Sequence, residues 1–126
     1  MTVKTTISNL LILNLEDRLQ KLQSIGAPEI VIKGTQQQLD NIKAGNLKVE
    51  RMARKYKIAN EEVKELYQAD AKAYDWKGQT SKTVVLKMVT ESGTYYYDYF
   101  SNSIGQTCEL SICGGVESLD YQEVRR

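Results

Sequence analysis

Between Thr6 and Ile25 the apolar residues Ile12, Leu15, Leu19 and Leu22 recur at heptad-like spacing, with Glu16, Asp17, Arg18, Gln20 and Lys21 on the polar side. That pattern predicts a helix. Its first half, Leu10-Leu11-Ile12-Leu13, is apolar nearly all round and needs partners on more than one face, some of them from another protomer. Gly26-Ala27-Pro28 punctuates the chain as the end of one helix and the start of the next. A second helix is expected from Pro28 to Ala44, with Ile32, Leu39 and Ile42 as its apolar stripe and Gly34 marking close packing or a break. Residues 6–44 thus read as an αα-hairpin.

Gly45 ends that hairpin, and Asn46 is placed to cap a third helix running to Lys57. Asn60, followed by Glu61 and Glu62, is placed to cap a fourth reaching Tyr74. Val49, Met52, Ala53 and Tyr56 would form the inner face of the third helix, and Val63, Leu66 and Tyr67 that of the fourth. From Ser81 the period becomes two. Strands are expected over Lys82–Val89, Thr94–Ser101, the segment ending at Cys113, and Val116–Val124, joined at Glu91-Ser92-Gly93, Asn102 to Gly105 and Gly114-Gly115. The expected architecture is α+β: a helical hairpin, two further helices and a four-stranded antiparallel meander sheet, in a single domain spanning 1–126.

Composition narrows the chemistry. At 126 residues and 41% hydrophobic the chain can bury a core. It contains no histidine, which excludes a His-based triad, a His-containing zinc site and a His proton shuttle. A net charge of +1 argues against a general nucleic-acid coat. Cys108 and Cys113, if on one strand, lie roughly 16 Å apart and cannot pair with each other, so reduced thiols and a cytoplasmic location are expected. No signal peptide or membrane span is expected, because the apolar run from Leu10 is short and interrupted by Asn14.

The most unusual local feature is Thr94-Tyr95-Tyr96-Tyr97-Asp98-Tyr99-Phe100. On a strand, Tyr95, Tyr97 and Tyr99 share one face and Tyr96, Asp98 and Phe100 the other. Either one stripe fills the core and the other decorates an edge, or one is a stacking platform for a flat ring. Lys43, Lys48, Arg51, Arg54, Lys55 and Lys57 face only Glu50 in their window. On a helix, Arg51, Arg54 and Lys55 would share a face and could meet one anion, or be a solvated face. The segment from Val49 to Val63 also resembles a helix-turn-helix. Its second helix, however, opens with Glu61, Glu62 and Glu65, which repel phosphates. Glu109 and Asp98 show no paired acid/base partner. Cys113 before Gly114-Gly115 is either a nucleophile on a tight turn or a buried strand cysteine. No metal-ligand spacing or phosphate-cradling glycine loop is present.

The stretch from Leu15 through Gly26-Ala27-Pro28 to Ile32, continuing past Leu39 to Lys43-Ala44-Gly45-Asn46-Leu47-Lys48-Val49, resembles the N-terminal helical hairpin of the phage-encoded anti-Thoeris sponges. These are small α+β oligomers that sequester cyclic ADP-ribose-type signals without degrading them. The resemblance implies a homo-oligomer in the host cytoplasm that holds a cyclic nucleotide-type small molecule, with no cofactor and no catalysis. It places the interhelical turn, Ser24 to Glu29, close to the ligand. This chain has side chains suited to such sequestration, with Tyr95, Tyr97 and Tyr99 for stacking, Arg51 and Arg54 for phosphate, and Arg125 and Arg126 as lids. Two alternatives remain open: a protein–protein inhibitor of a bacterial defence complex, of the anti-CRISPR type, and a small helix-turn-helix regulator. Nucleic acid is the less favoured partner, and no membrane partner is expected.

Overall fold

A computed structural model describes residues 5–51, 54–74, 77–99, 103–106 and 112–124, with backbone alone at 50, 51 and 103. It is α+β. Strand β1 (Thr5–Thr6) leads into α1 (Ile7–Ser24) and α2 (Glu29–Lys43). After these come β2 (Lys48–Arg51), β3 (Arg54–Lys57), β4 (Glu62–Val63) and β5 (Glu65–Tyr74). Next are β6 (Thr80–Val89), β7 (Thr94–Asp98) and β8 (Ser103–Gly105). A single 3-10 turn at Val116–Ser118 precedes β9 (Gln122–Glu123).

Both helices end in the same device. Gly26 and Gly45 take φ of 66° and 88°, a conformation that suits glycine. In each case the next residue donates back five positions: Ala27 N–H to the Leu22 carbonyl at 3.0 Å, and Asn46 N–H to the Asn41 carbonyl at 2.9 Å. The helix starts differ. Thr6 caps α1 by accepting from Asn9 N–H, while Ser8 N–H donates to Asn60 Oδ1 at 3.0 Å and Ile7 N–H to the Glu61 carbonyl at 3.1 Å. A segment distant in sequence thus satisfies the start of α1, and β1 pairs with β4 beside it.

The structure corrects the expected third and fourth helices. Lys48–Arg51 and Arg54–Lys57 pair antiparallel as the β2–β3 hairpin, closed at its base by Ile58 N–H donating to the Leu47 carbonyl at 2.9 Å. Residues 65–74 form the long strand β5, paired with β6 along its whole length. Met52, Ala53 and Trp76 lie outside the described residues. Ala69, Ala71 and Ala73 alternate with Gln68, Asp70 and Lys72, and that period of two serves a sheet buried on the alanine side. Alanine is the strongest helix former, but propensity amounts to less than about 1 kcal/mol per residue and tertiary packing overrides it. The helix-turn-helix reading falls with these helices.

The four-stranded meander is corrected as well. The sheet has seven strands in the order β3-β2-β8-β7-β6-β5-β9, antiparallel except where β2 meets β8. Past Gly105 the expected strand to Cys113 enters residues 107–111, outside the described set, and Val116–Val124 is not one strand. It forms the 3-10 turn and then returns to pair with the outer edge of β5, at Tyr67↔Glu123 and Gln68↔Gln122.

Two cores result, one on each face of the sheet. On one face α1 seats Ile7, Leu10 and Leu11 against Leu66, Met88 and Tyr97, and α2 packs on the outside of α1. On the other, Ile112 and Val116 cover Ala73, Val85 and Tyr96, with Leu119 and Tyr121 packed alongside. The alanine stripe leaves room for that segment to lie close.

Candidate pocket between the first helix and the sheet

On β7 the alternation sends Tyr95 and Tyr97 toward α1 and Tyr96 and Asp98 toward the C-terminal segment. All four are buried, Tyr97 completely. Both faces of this strand are covered, because the chain supplies a lid for each. Tyr95 and Tyr97 therefore offer no open ring face. The Tyr97 hydroxyl accepts from Asn14 Nδ2 at 2.8 Å, and its ring meets Tyr99 edge-on at 5.3 Å. Phe100 lies outside the described residues.

Burial drives the Tyr97 hydroxyl pKa well up, and the Asn14 bond offsets only part of that; burial also raises Tyr121. An unfolded tyrosine titrates near about 10. Because the folded values are higher, their stabilising contribution is complete below about pH 10 and is lost as pH rises beyond it. Urea midpoints measured from neutral into alkaline pH are expected to fall past that point, and less steeply in Tyr97→Phe. A decline identical in Tyr97→Phe would contradict the assignment.

Tyr99 is only partly buried and lines a cavity of about 240 Å³ between α1 and the sheet. Buried Leu10, Leu66 and Leu86 form its apolar floor. Asn14, Gln68 and Tyr99 supply polar groups around it, and the exposed Leu13 and Asp17 stand at the mouth. Arg18 donates to the Tyr99 carbonyl at 3.0 Å, which fixes a guanidinium beside the opening. An apolar slot with a few convergent amide groups has the lining of a small-molecule site, at a volume just below the usual range of about 300–1,000 Å³, enough for one flat ring. Sequence reasoning missed Leu13, Asn14 and Gln68 as site residues. The signal was present in Asn14, the polar break in an otherwise apolar run.

The other expected site residues lie elsewhere. Arg54 is exposed on β3, and the register places Arg51 opposite it. Lys55 falls on the other face of the strand, so the expected one-sided cluster of cations does not form. From β3 to the end of β7, where Tyr99 borders the pocket, is three strand spacings, roughly 14 Å, and to the pocket's floor on β6 and β5 it is four and five, roughly 19 and 24 Å. One copy of the chain therefore does not bring these cations to the pocket. Ser24, at the far end of α1, donates to the Lys21 carbonyl at 2.8 Å and is roughly 15 Å along the helix from Asn14. Arg125, Arg126, Cys108 and Glu109 lie outside the described residues.

The opposite face holds polar groups in structural roles. Thr83 Oγ1 donates to the buried Asp98 carboxylate at 3.0 Å. Lys87 Nζ lies 5.5 Å from the ring centres of both Tyr67 and Tyr121, and Tyr121 donates to the Val116 carbonyl at 2.6 Å. These contacts fasten the C-terminal segment to the sheet. Cys113 is half-buried, and a hydrogen bond with its thiol raises the Tyr74 hydroxyl pKa. Among the described residues no group of three or more carboxylates and thiols is arranged to hold a metal ion. No helix among them is long and apolar enough to cross a membrane. No family model, curated protein or solved structure matches this chain.

Proposed function

We propose that this protein works by capture: a phage anti-defence protein that sequesters a cyclic ADP-ribose-type or cyclic nucleotide signal without breaking a bond in it. The observation that carries the reading is the pocket under α1. Its leucine floor suits the face of a heterocycle, and the Asn14 and Gln68 amides can both donate to and accept from a base edge. Arg18 uses one N–H on the Tyr99 carbonyl and keeps further donors for an anionic group near the mouth. Sequestration needs binding groups and exclusion of water, and no general base.

Equilibrium dialysis of the full chain against cyclic ADP-ribose and cyclic dinucleotides, followed by heat release and chromatography, tests this. One of these compounds is expected to be taken up and recovered intact. Leu13→Glu, which sets a carboxylate at an exposed position of the mouth against an anionic ligand, is expected to weaken uptake at least tenfold with an unchanged melting temperature. Degraded signal, or no uptake of any of them, sinks the capture reading. Full uptake by Leu13→Glu moves the ligand away from this pocket.

A second reading, inhibition of a defence protein by direct contact, is favoured by the tip of the helical hairpin. Ile25, Ile30 and Val31 are 76%, 80% and 43% exposed there. Ile25→Arg combined with Ile30→Arg would then abolish anti-defence activity while leaving signal uptake intact.

A further inference from the structure

The two edges of the sheet carry opposite charge. On β3 all four residues, Arg54, Lys55, Tyr56 and Lys57, are exposed. The β2–β3 register sets Lys48 opposite Lys57, a pair of like charges, and Glu50 opposite Lys55. Like charges directly across a ladder are destabilising until an anionic surface meets them. Lys48, Arg54, Lys55 and Lys57 make no salt bridge among the described residues; the ion pairs there are Lys21–Asp17 and Lys33–Glu29.

The far edge is the complement. Cys113 N–H donates to the Lys72 carbonyl at 2.8 Å and Val124 N–H to the Leu66 carbonyl at 2.9 Å, so the outer edge of β5 is covered at both ends. Between those covers opens a cleft of about 460 Å³, bordered by Asp70, Asp120 and Glu123. The alternation of the ladder directs the Asp70 peptide groups outward, into this cleft. Among the described residues no strand pairs with that position on the outer side.

We propose that copies of this chain associate head to tail, the basic β3 edge of one docking on the acidic β5–β9 edge of the next. The edges lie at opposite ends of one sheet and cannot meet within a copy. Each exposes strand backbone; β3 carries three cations and no acid, and the cleft lining carries three carboxylates and no cation. Lysines on an edge strand repel edges of their own kind, and so select for an acidic one. The contact is heterologous, and therefore propagates as a filament or closes as a ring. It also has a consequence for capture. The acidic cleft and the pocket under α1 share Gln68 and Val124, so the neighbouring copy's cations arrive beside the pocket mouth. That consequence rests on the capture reading; the contact itself does not.

Sedimentation velocity of the full chain without ligand, at low and high salt, reads the association directly. The wild type is expected to form assemblies larger than a monomer that weaken as salt rises. Lys55→Glu with Lys57→Glu, and separately Asp120→Lys with Glu123→Lys, are each expected to weaken self-association at least tenfold. All four residues are exposed, and circular dichroism checks that the folds match. Mixing the two variants restores opposite charge across the junction and is expected to restore assembly. A wild type that stays monomeric at low salt overturns the proposal, as does assembly indifferent to both charge reversals. A third overturning result is a monomer that binds duplex DNA or RNA through Lys55 and Lys57, which would assign the ribbon to phosphates. Failure of signal uptake in a chain that still assembles would count against capture alone.

Discussion

Tyr97→Ala is expected to lower the unfolding free energy by about 3–5 kcal/mol, the range for deleting a buried aromatic ring. The ring is wholly buried between α1 and the sheet, and truncation also strands the Asn14 amide that donates to its hydroxyl. Tyr97→Phe keeps the ring volume and loses the Asn14 bond, a cost of about 1 kcal/mol. Urea denaturation of the three proteins orders them wild type, Tyr97→Phe, Tyr97→Ala. The series separates two roles for the tyrosine stripe: a surface stacking residue would lose ligand on truncation and keep its stability. A midpoint unchanged in Tyr97→Ala would show that the ring is not in the core.

The second large effect is expected from adding atoms. Ala73 is fully buried on β5 against the C-terminal segment, and Ile112 bridges directly to it. Ala73→Leu forces the covering segment outward, and overpacking of this kind costs about 1–3 kcal/mol. Lys72→Leu serves as the control, since that position is exposed on the other face. Were residues 60–74 helical and Ala73 on a solvated side, the leucine would be neutral. Thermal melts with a near-ultraviolet signal from Tyr96 and Tyr121, whose rings lie 6.1 Å apart, also report whether the segment has lifted.

Much of the helical part of this chain could be read locally. Gly26, Pro28 and Gly45 act through their own backbone preferences, so the two helix ends are visible without tertiary knowledge. Asn60 shows where local reading stops. Its side chain does cap a helix N-terminus, but that of α1, fifty-two residues earlier in the chain. A capping residue announces its chemistry and not its client. Residues 48–74 went astray for a related reason: Lys, Glu, Ala and Tyr support a helix in isolation, and the pairing with β6 together with the segment that covers Ala71 and Ala73 selects the strand. The edge pairing of β9 to β5 joins positions more than fifty residues apart, beyond the reach of any short window.

The candidate site was legible in part. Of the tyrosines expected to stack, Tyr99 reaches the pocket, because β7 ends before it and α1 leaves its ring partly uncovered. Tyr95 and Tyr97 belong to the core because the other stripe has its own cover, which the spacing of tyrosines alone does not reveal. The arginines looked convergent on a helix, and on a hairpin at the far edge they serve a different surface.

The path by which the second core closes bears on how the protein is made. Strands β5 and β6 leave the ribosome well before residues 112–124, so the alanine face has no partner while the intervening chain is synthesised. The thirty-five residues from the end of β6 to Val124 take roughly 2–7 s at ordinary translation rates, during which a bare, small-residue sheet surface is open to passing strands. Slow codons or a stalled ribosome between residues 90 and 124 would lengthen the exposure, and the yield of native protein becomes a race between completing that segment and meeting a neighbour.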